Sequence, residues 1–291
     1  MSVLYPILLR RITIDSTNKA IRMTENAVTQ TVNLVEGTYW LDPNTAEATS
    51  AADVNIGGSL LAALVTALDS HTGGTNTYSA TITWSADPTA KQATITIARA
   101  TGSNTFALLF ADSANTFDQF LIGFPDQTTT TTADAKVSAL DPTAAWASDQ
   151  PHRSIDPEIE REYEVTKSVS GMRRGIDLGG PYKSRVIDLA FISDARMHLA
   201  DGEGGRAAAT DASLAGFVSR CAANGRFLIY LVTISGTVLA SPAGFDSVDV
   251  DGTAPCPWVF DEDTVKSFQA TRHSPGLALY SIVLRCLRVA V

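Results

Sequence analysis

The strongest constraint on the fold lies in residues 55–124, where one apolar helix pattern is followed by three strand patterns and a second short apolar run. SLLAALVTALD, residues 59–69, sets Leu60, Leu61, Leu64, Val65 and Leu68 at the spacings of a helix lying on a sheet. Gly57, Gly58 and Ser59 supply its start, and His71, Thr72, Gly73 and Gly74 its stop. TYSATITW then alternates, with Tyr78, Ala80, Ile82 and Trp84 on one face and Thr77, Ser79, Thr81 and Thr83 on the other. KQATITIA repeats the theme after an Asp87-Pro88 turn, which predicts a hairpin with one wet face. TFALLFAD is a continuous apolar run, and FDQFLIGF returns Phe117, Phe120, Leu121 and Phe124 at helical spacing, so both are expected to close a core over the hairpin. No residue of this unit is placed for chemistry.

Charge narrows the partners. Of 291 residues 18% are charged, against about 25% for an average chain, and the many Thr, Ala and Ser residues favour closely associated surfaces. The net charge is -9, with 7 basic against 14 acidic residues up to Gln150 and 15 against 17 beyond it. Binding phosphates needs a positive surface that this balance does not supply, so neither specific nucleic-acid binding nor an anionic membrane is expected. No run approaches the roughly 20 apolar residues of a membrane span, so no membrane insertion is expected. In MSVLYPILLRRI the basic pair follows the apolar run, the reverse of a secretory signal, which predicts a soluble protein made in a cytoplasm. Cys221, Cys256 and Cys286 are widely spaced and read as free, mostly buried thiols.

In chain order, residues 5–15 read as a strand and IRMTENAVTQTVNLVEGTYWL as two more, with a turn at Glu25-Asn26. Strand, strand, helix, strand, strand, short helix is the order of an α+β layer, which sets an N-terminal module at 1–124. Residues 125–155 hold five consecutive threonines, Pro142, Trp146 and Pro151, and read as a linker or as an ordered arm whose Trp146 packs on a neighbour. Residues 156–291 read as a β-rich assembly domain. RVIDLAFIS and RFLIYLVTIS are strands, and Asp211 is a candidate N-cap for a helix carrying Leu214, Phe217, Val218 and Cys221 inward, with Asn224-Gly225 as its stop. LALYSIVLRCLRVAV is a buried closing strand. The expected fold class is α+β, mainly β, with an N-terminal sheet and packed helices followed by a β-barrel or sandwich domain with one helix.

DPEIEREYEVTKS places Asp156, Glu158, Glu160, Glu162 and Glu164 at a strict period of two, a row of carboxylates along one strand face. Repulsion along such a row is relieved by open water, a wide channel or a basic partner strand, and Arg173, Arg174, Lys183 and Arg185 follow around the Gly179-Gly180-Pro181 turn. A solvated face paired with that basic segment is the first reading and a subunit contact the second; a metal site ranks below both, because a single strand spreads its carboxylates too far to wrap one cation unaided.

Signatures of catalysis are lacking. The sequence has no GxSxG, GxxxxGK[ST] or HExxH, and His71, His152, His198 and His273 show no paired ligand spacing. Asp249, Asp251 and Gly252 resemble the middle of a calcium loop, yet Ser247 stands at its first ligand position and Trp258 at its last, so an acidic loop is the better reading. Gly202, Glu203, Gly204 and Gly205 lack the strand and helix of a dinucleotide fingerprint. The expectation is a protein that is not an enzyme and carries no cofactor and no metal.

Five short phrases, Gly37 to Trp40, Ser59 to Leu61, Tyr78-Ser79, the run TFALLF at 105–110 and Leu121 to Phe124, together resemble a module of virion proteins from tailed bacteriophages and other large viruses. The second half is similar in outline to phage tail and baseplate proteins, whose β barrels with a packed helix assemble into rings. The resemblance implies a structural tail or baseplate subunit of the virion, made in the host cytoplasm, with copies of itself and other tail or baseplate proteins as partners. The carboxylate row then faces either a lumen through which DNA passes or a subunit contact. The interaction surface expected on this reading is Trp146, Glu158, Glu160, Glu162, Glu164, Arg173 and Arg174. The alternative is a receptor-binding or fibre-attachment protein that recognises a host ligand through an exposed platform of Trp40, Trp84 or Tyr78. A polysaccharide hydrolase would need two carboxylates across a cleft, and no phrase in the sequence points to such a pair.

Overall fold

The computed structural model describes residues 3–41, 58–160, 163–167, 173–177, 182–197, 210–222, 225–239, 257–266, 268, 270–274 and 277–288. The protein is mainly β, with several antiparallel sheets, one of them curled into a half-barrel, and few helices.

The expected first strand is two, β1 (Tyr5–Arg10) and β2 (Ile12–Ile14), and at Arg11 the chain passes from one sheet to another. The next run gives three strands, β3 (Ala20–Glu25), β4 (Val28–Asn33) and β5 (Gly37–Trp40). Asn26 and Ala27, both at positive φ, form the two-residue turn of the β3–β4 hairpin, a geometry whose twist matches the flanking strands. After β6 (Gly58–Ser59), which pairs parallel with β5, helix α1 (Leu60–Asp69) begins. The Ser59 hydroxyl accepts a hydrogen bond from the Ala62 N–H at 3.1 Å, capping a helix whose whole leucine stripe is buried. β7 (Thr77–Ser85) and β8 (Ala93–Thr101) form the expected hairpin, with Tyr78, Ala80, Ile82 and Trp84 inward. β9 (Phe106–Leu108) pairs with β3, and Phe106 and Leu108 share one buried core with the inward face of the hairpin, as expected, the rings of Tyr78 and Phe106 meeting edge-on at 5.0 Å. A 3-10 turn, Gln119–Ile122, then buries Leu121 and Ile122.

One buried carboxylate ties this half together. Glu25 Oε1 accepts hydrogen bonds from the N–H groups of Thr75 and Asn76 and from Asn104 Nδ2, and Oε2 accepts one from the Tyr78 hydroxyl, all between 2.8 and 3.0 Å. Burial raises its proton affinity, but the donors together outweigh that and hold the pKa below its ordinary value. Gly74 is required beside it, since a Cβ there would lie 2.0 Å from the carboxylate.

Residues 125–155, expected as a linker or arm, contribute β10 (Ala135–Val137), paired with β8, and β11 (Ala145–Ala147), paired with β1. The second half adds β12 (His152–Glu160), β13 (Tyr163–Lys167), β14 (Arg173–Asp177), β15 (Tyr182–Ser193), the short helix α2 (Asp194–Met197) and helix α3 (Leu214–Cys221). The N-cap of α3 is Ser213, whose hydroxyl accepts from the Gly216 N–H at 3.2 Å; Asp211, the expected cap, instead accepts from the Ser213 N–H. Its inward stripe is the expected Leu214, Phe217, Val218 and Cys221. β16 (Phe227–Val232), β17 (Ile234–Ser235), β18 (Val238–Leu239), β19 (Trp258–Phe260), helix α4 (Glu262–Lys266), β20 (Thr271–Ser274) and β21 (Leu277–Arg288) follow. β21 is not a closing strand buried throughout. It lies inside the largest sheet and alternates, with Ile282, Leu284 and Cys286 buried and Val283 and Arg285 exposed.

That sheet runs β11-β1-β16-β19-β21-β15-β12, with β20 added on β21. The apolar runs of β1 and β16 are continuous because both faces are covered. Ile7, Leu9, Leu228 and Tyr230 join the core of α1 and the β7–β8 hairpin, while Leu8, Phe227 and Ile229 join the core around α3. The halves also exchange strands. β1 and β11 sit in the sheet built mainly by the second half, and β18 pairs with β7 in the sheet of the first. The sheets therefore cross the expected boundaries at 124/125 and 155/156.

Candidate assembly surface

Of the residues expected to meet a neighbour, Trp146 does not reach one. It is fully buried on β11, and its Nε1 donates to the Arg196 carbonyl at 3.0 Å. A strand of Ala-Trp-Ala between β1 and the start of the second core has more apolar surface to gain within the chain than outside it. Around Trp146 lies a buried polar seam between the halves. Gln92, at the mouth of the β7–β8 hairpin, donates through Nε2 to the carbonyls of Ala145 (3.2 Å) and Ala212 (3.0 Å) and accepts through Oε1 from the Ala147 N–H (3.0 Å). Its amide thus stands in for a neighbouring strand along the outer edge of β11. Arg196 Nη2 donates to the carbonyls of Ser85 and Asp87 in the hairpin turn at 3.0 and 3.2 Å. Burial lowers the pKa of its guanidinium, against the pull of Asp141, Asp149 and Asp87, and burial raises the pKa of both Asp141 and Asp149.

Asp156, Glu158 and Glu160 take alternate positions on β12, and Glu164 lies on β13; Glu162 lies outside the described residues. The basic residues are not opposite them. Register places Ser184 across from Glu158, Tyr182 across from Glu160 and Ile176 across from Glu164, while Lys183 and Arg185 face Ile159 and Pro157. Directly opposed residues of an antiparallel pair share a face, so the carboxylate positions and those of Lys183 and Arg185 belong to opposite faces. Arg173 and Arg174 pair instead with Lys167 and Thr166, at the far end of the β13–β14 ribbon. Among the described residues β12 forms the edge of its sheet, and β13 and β14 pair with each other alone. Pro157 marks β12 as an edge strand, since it offers no N–H to a further ladder.

The solvent face of β15 and β21 carries a second feature with no signal in the sequence. At the bulge between Leu189 and Ile192, Phe191 adopts φ 62°, a left-handed conformation that bulky residues rarely take. The residue is 45% exposed and its ring stacks on that of His273 at 4.4 Å, and His273 bonds in turn to Ser281; Val283 is also exposed.

Residues with chemical potential are otherwise used in packing. His71 is buried and contacts the Val28 carbonyl, and His152 Nδ1 contacts the Leu4 carbonyl at 3.0 Å. Cys221 and Cys286 are buried free thiols, as expected, and burial pushes the Cys221 pKa up to about 12. Cys256, His198, the Gly202 to Gly205 loop and the Asp249 to Gly252 loop lie outside the described residues. Among the described residues no three His, Cys, Asp or Glu side chains converge as metal ligands. No family model and no curated protein matches the chain.

Proposed function

We propose that this protein is a structural subunit of a bacteriophage tail or baseplate, which assembles into a homo-oligomeric ring and contacts neighbouring tail proteins. Its place is the virion, after synthesis in the host cytoplasm, and it acts through repeated surfaces rather than through catalysis or a cofactor. On this reading the N-terminal α+β layer is followed by a β-barrel or sandwich domain with one packed helix. The observation that carries the proposal is the two-stranded ribbon of β13 and β14, which no other described strand joins. A ribbon of two strands is marginal in water, and symmetric assembly gives it a surface to pack on.

The receptor-binding alternative rests on an exposed aromatic platform, and Trp40, Trp84 and Tyr78 are all buried. Their burial supports the first reading over the second. Light scattering coupled to size exclusion tests it: a discrete closed oligomer that persists on dilution is expected. A monomer near 30.9 kDa at every concentration, together with binding in a glycan screen, would refute it in favour of the alternative.

A further inference from the structure

We infer that the joint between the two halves binds ordered water, held between the Arg196 guanidinium and the Asp149 carboxylate. The inference stands apart from the ring reading and does not depend on it. Arg196 and Asp149 are 3% and 4% exposed, so bulk solvent has little access to either. Arg196 commits Nη2 to the carbonyls of Ser85, Asp87 and Ala90 at the turn of the β7–β8 hairpin, whereas its Nε and Nη1 are buried and have no partner in the protein. Asp149 Oδ2 accepts from the Ser193 N–H at 3.2 Å, whereas its Oδ1 and the Ser193 hydroxyl oxygen are likewise buried and unpartnered. The charges of Asp141, Asp149 and Asp87 all act on the guanidinium. Yet among the described residues no carboxylate oxygen comes within the 4.0 Å of a direct ion pair with it. An unpaired buried group costs most where it is charged, and buried polar groups in folded proteins find a partner in the protein or in bound water. Two unpartnered groups of opposite charge that attract without touching are satisfied together by a molecule between them.

The chemistry of the site selects water. The occupant must accept from Nε and Nη1 and also reach Oδ1 and the Ser193 hydroxyl, and a buried water commonly makes about three such bonds. A metal cation is opposed by the guanidinium, and an inorganic anion by the flanking aspartates. Burial raises the pKa of Asp149, and water suits Oδ1 with or without a proton, because it both donates and accepts. The joint is thereby a hydrated ion pair. Helix α2, which carries Arg196, is tied to the β7–β8 turn directly through Nη2 and to Asp149 through water.

Nuclear magnetic resonance on the full-length chain, carrying isotopically labelled arginine, tests this. Arg196→Lys identifies the Arg196 side-chain N–H signals by their loss. In the parent, cross peaks from water to those protons are expected, with the rotating-frame sign of dipolar contact and not of exchange. A crystal structure of the parent needs no variant, so it decides the matter even if Arg196→Lys does not fold. At a resolution that shows ordered water, a peak is expected within about 3.2 Å of Arg196 Nε or Nη1 and of Asp149 Oδ1. A guanidinium bonded directly to Asp149, the lack of a bridging peak in such a map, or side-chain N–H protons without dipolar contact to water overturns the inference and leaves the ring reading as it stands.

Discussion

Replacing Gln92 by Leu removes the one side chain that completes the outer edge of β11. Three hydrogen bonds are lost, two donated to the carbonyls of Ala145 and Ala212 and one accepted from the Ala147 N–H. Gln92 is 1% exposed, and water has little access to the groups it leaves behind. A neutral hydrogen bond contributes about 1 kcal/mol net, and a buried group left unpaired costs about 1–3 kcal/mol. Three bonds therefore set a loss of roughly 3–4 kcal/mol, partly offset by the greater apolarity of Leu. Urea unfolding followed by tryptophan fluorescence measures the loss. Hydrogen exchange on a peptide spanning residues 144–148 locates it, because the Ala147 amide loses its acceptor while the Ser148 N–H keeps its bond to the Pro6 carbonyl. A loss below about 1 kcal/mol with Ala147 still protected would refute the idea that an amide side chain replaces a strand here.

Other changes probe the same architecture. Glu25→Gln removes the charge that four donors converge on, and at neutral pH it should cost about 1.5–3 kcal/mol. Because the folded pKa of Glu25 lies below its unfolded value, the stability it confers is fully present above about pH 4.3 and is lost as pH falls through the folded value. The variant should lack that part of the acid limb in a pH series of urea midpoints. Ala27→Gly relieves a left-handed residue costing about 1–2 kcal/mol against an unfolded-state entropy penalty of about 0.4–1 kcal/mol, so a net gain of roughly 0.5–1 kcal/mol should appear as a higher midpoint. Trp146→Phe removes the indole donor to the Arg196 carbonyl and should cost about 1–3 kcal/mol in urea unfolding; a loss well below that would put the indole bond out of the stability of the seam.

Local pattern was legible and partnership was not. The stripe of α1, the alternation of β7 and the inward face of α3 all follow from spacing within about ten residues, and each lies where its period puts it. β9 illustrates the limit: a continuous apolar run announces burial, but nothing in Phe106 to Leu108 selects β3 over the adjacent hairpin. The carboxylate row was legible as a strand pattern, whereas its partners depend on register, which the connecting residues set and which moved Lys183 and Arg185 one step out of phase. Trp146 read as a linker residue because the polar tract before it hides a three-residue strand. Gln92 and Arg196 gave no signal, since a single polar side chain has no period and its importance comes from backbone groups far away in sequence. The Asp211 cap failed by two residues because Asp and Ser are both good caps and the first helical residue decided between them.

The position of β1 sets a timetable for the molecule. Residues 5–10 lie between strands at 145–147 and 227–232, so β1 leaves the ribosome long before both of its neighbours do. At about 5–20 residues per second the wait for both is on the order of ten to forty seconds, and until residues 145–147 emerge the run Pro-Ile-Leu-Leu has neither neighbour to pair with. A growing chain thus carries an adhesive, incompletely paired strand through much of its own synthesis. Crowded polysomes expressing this protein should be prone to entanglement between neighbouring nascent chains, and a holding chaperone on β1 should raise the yield of native protein more than one acting after release.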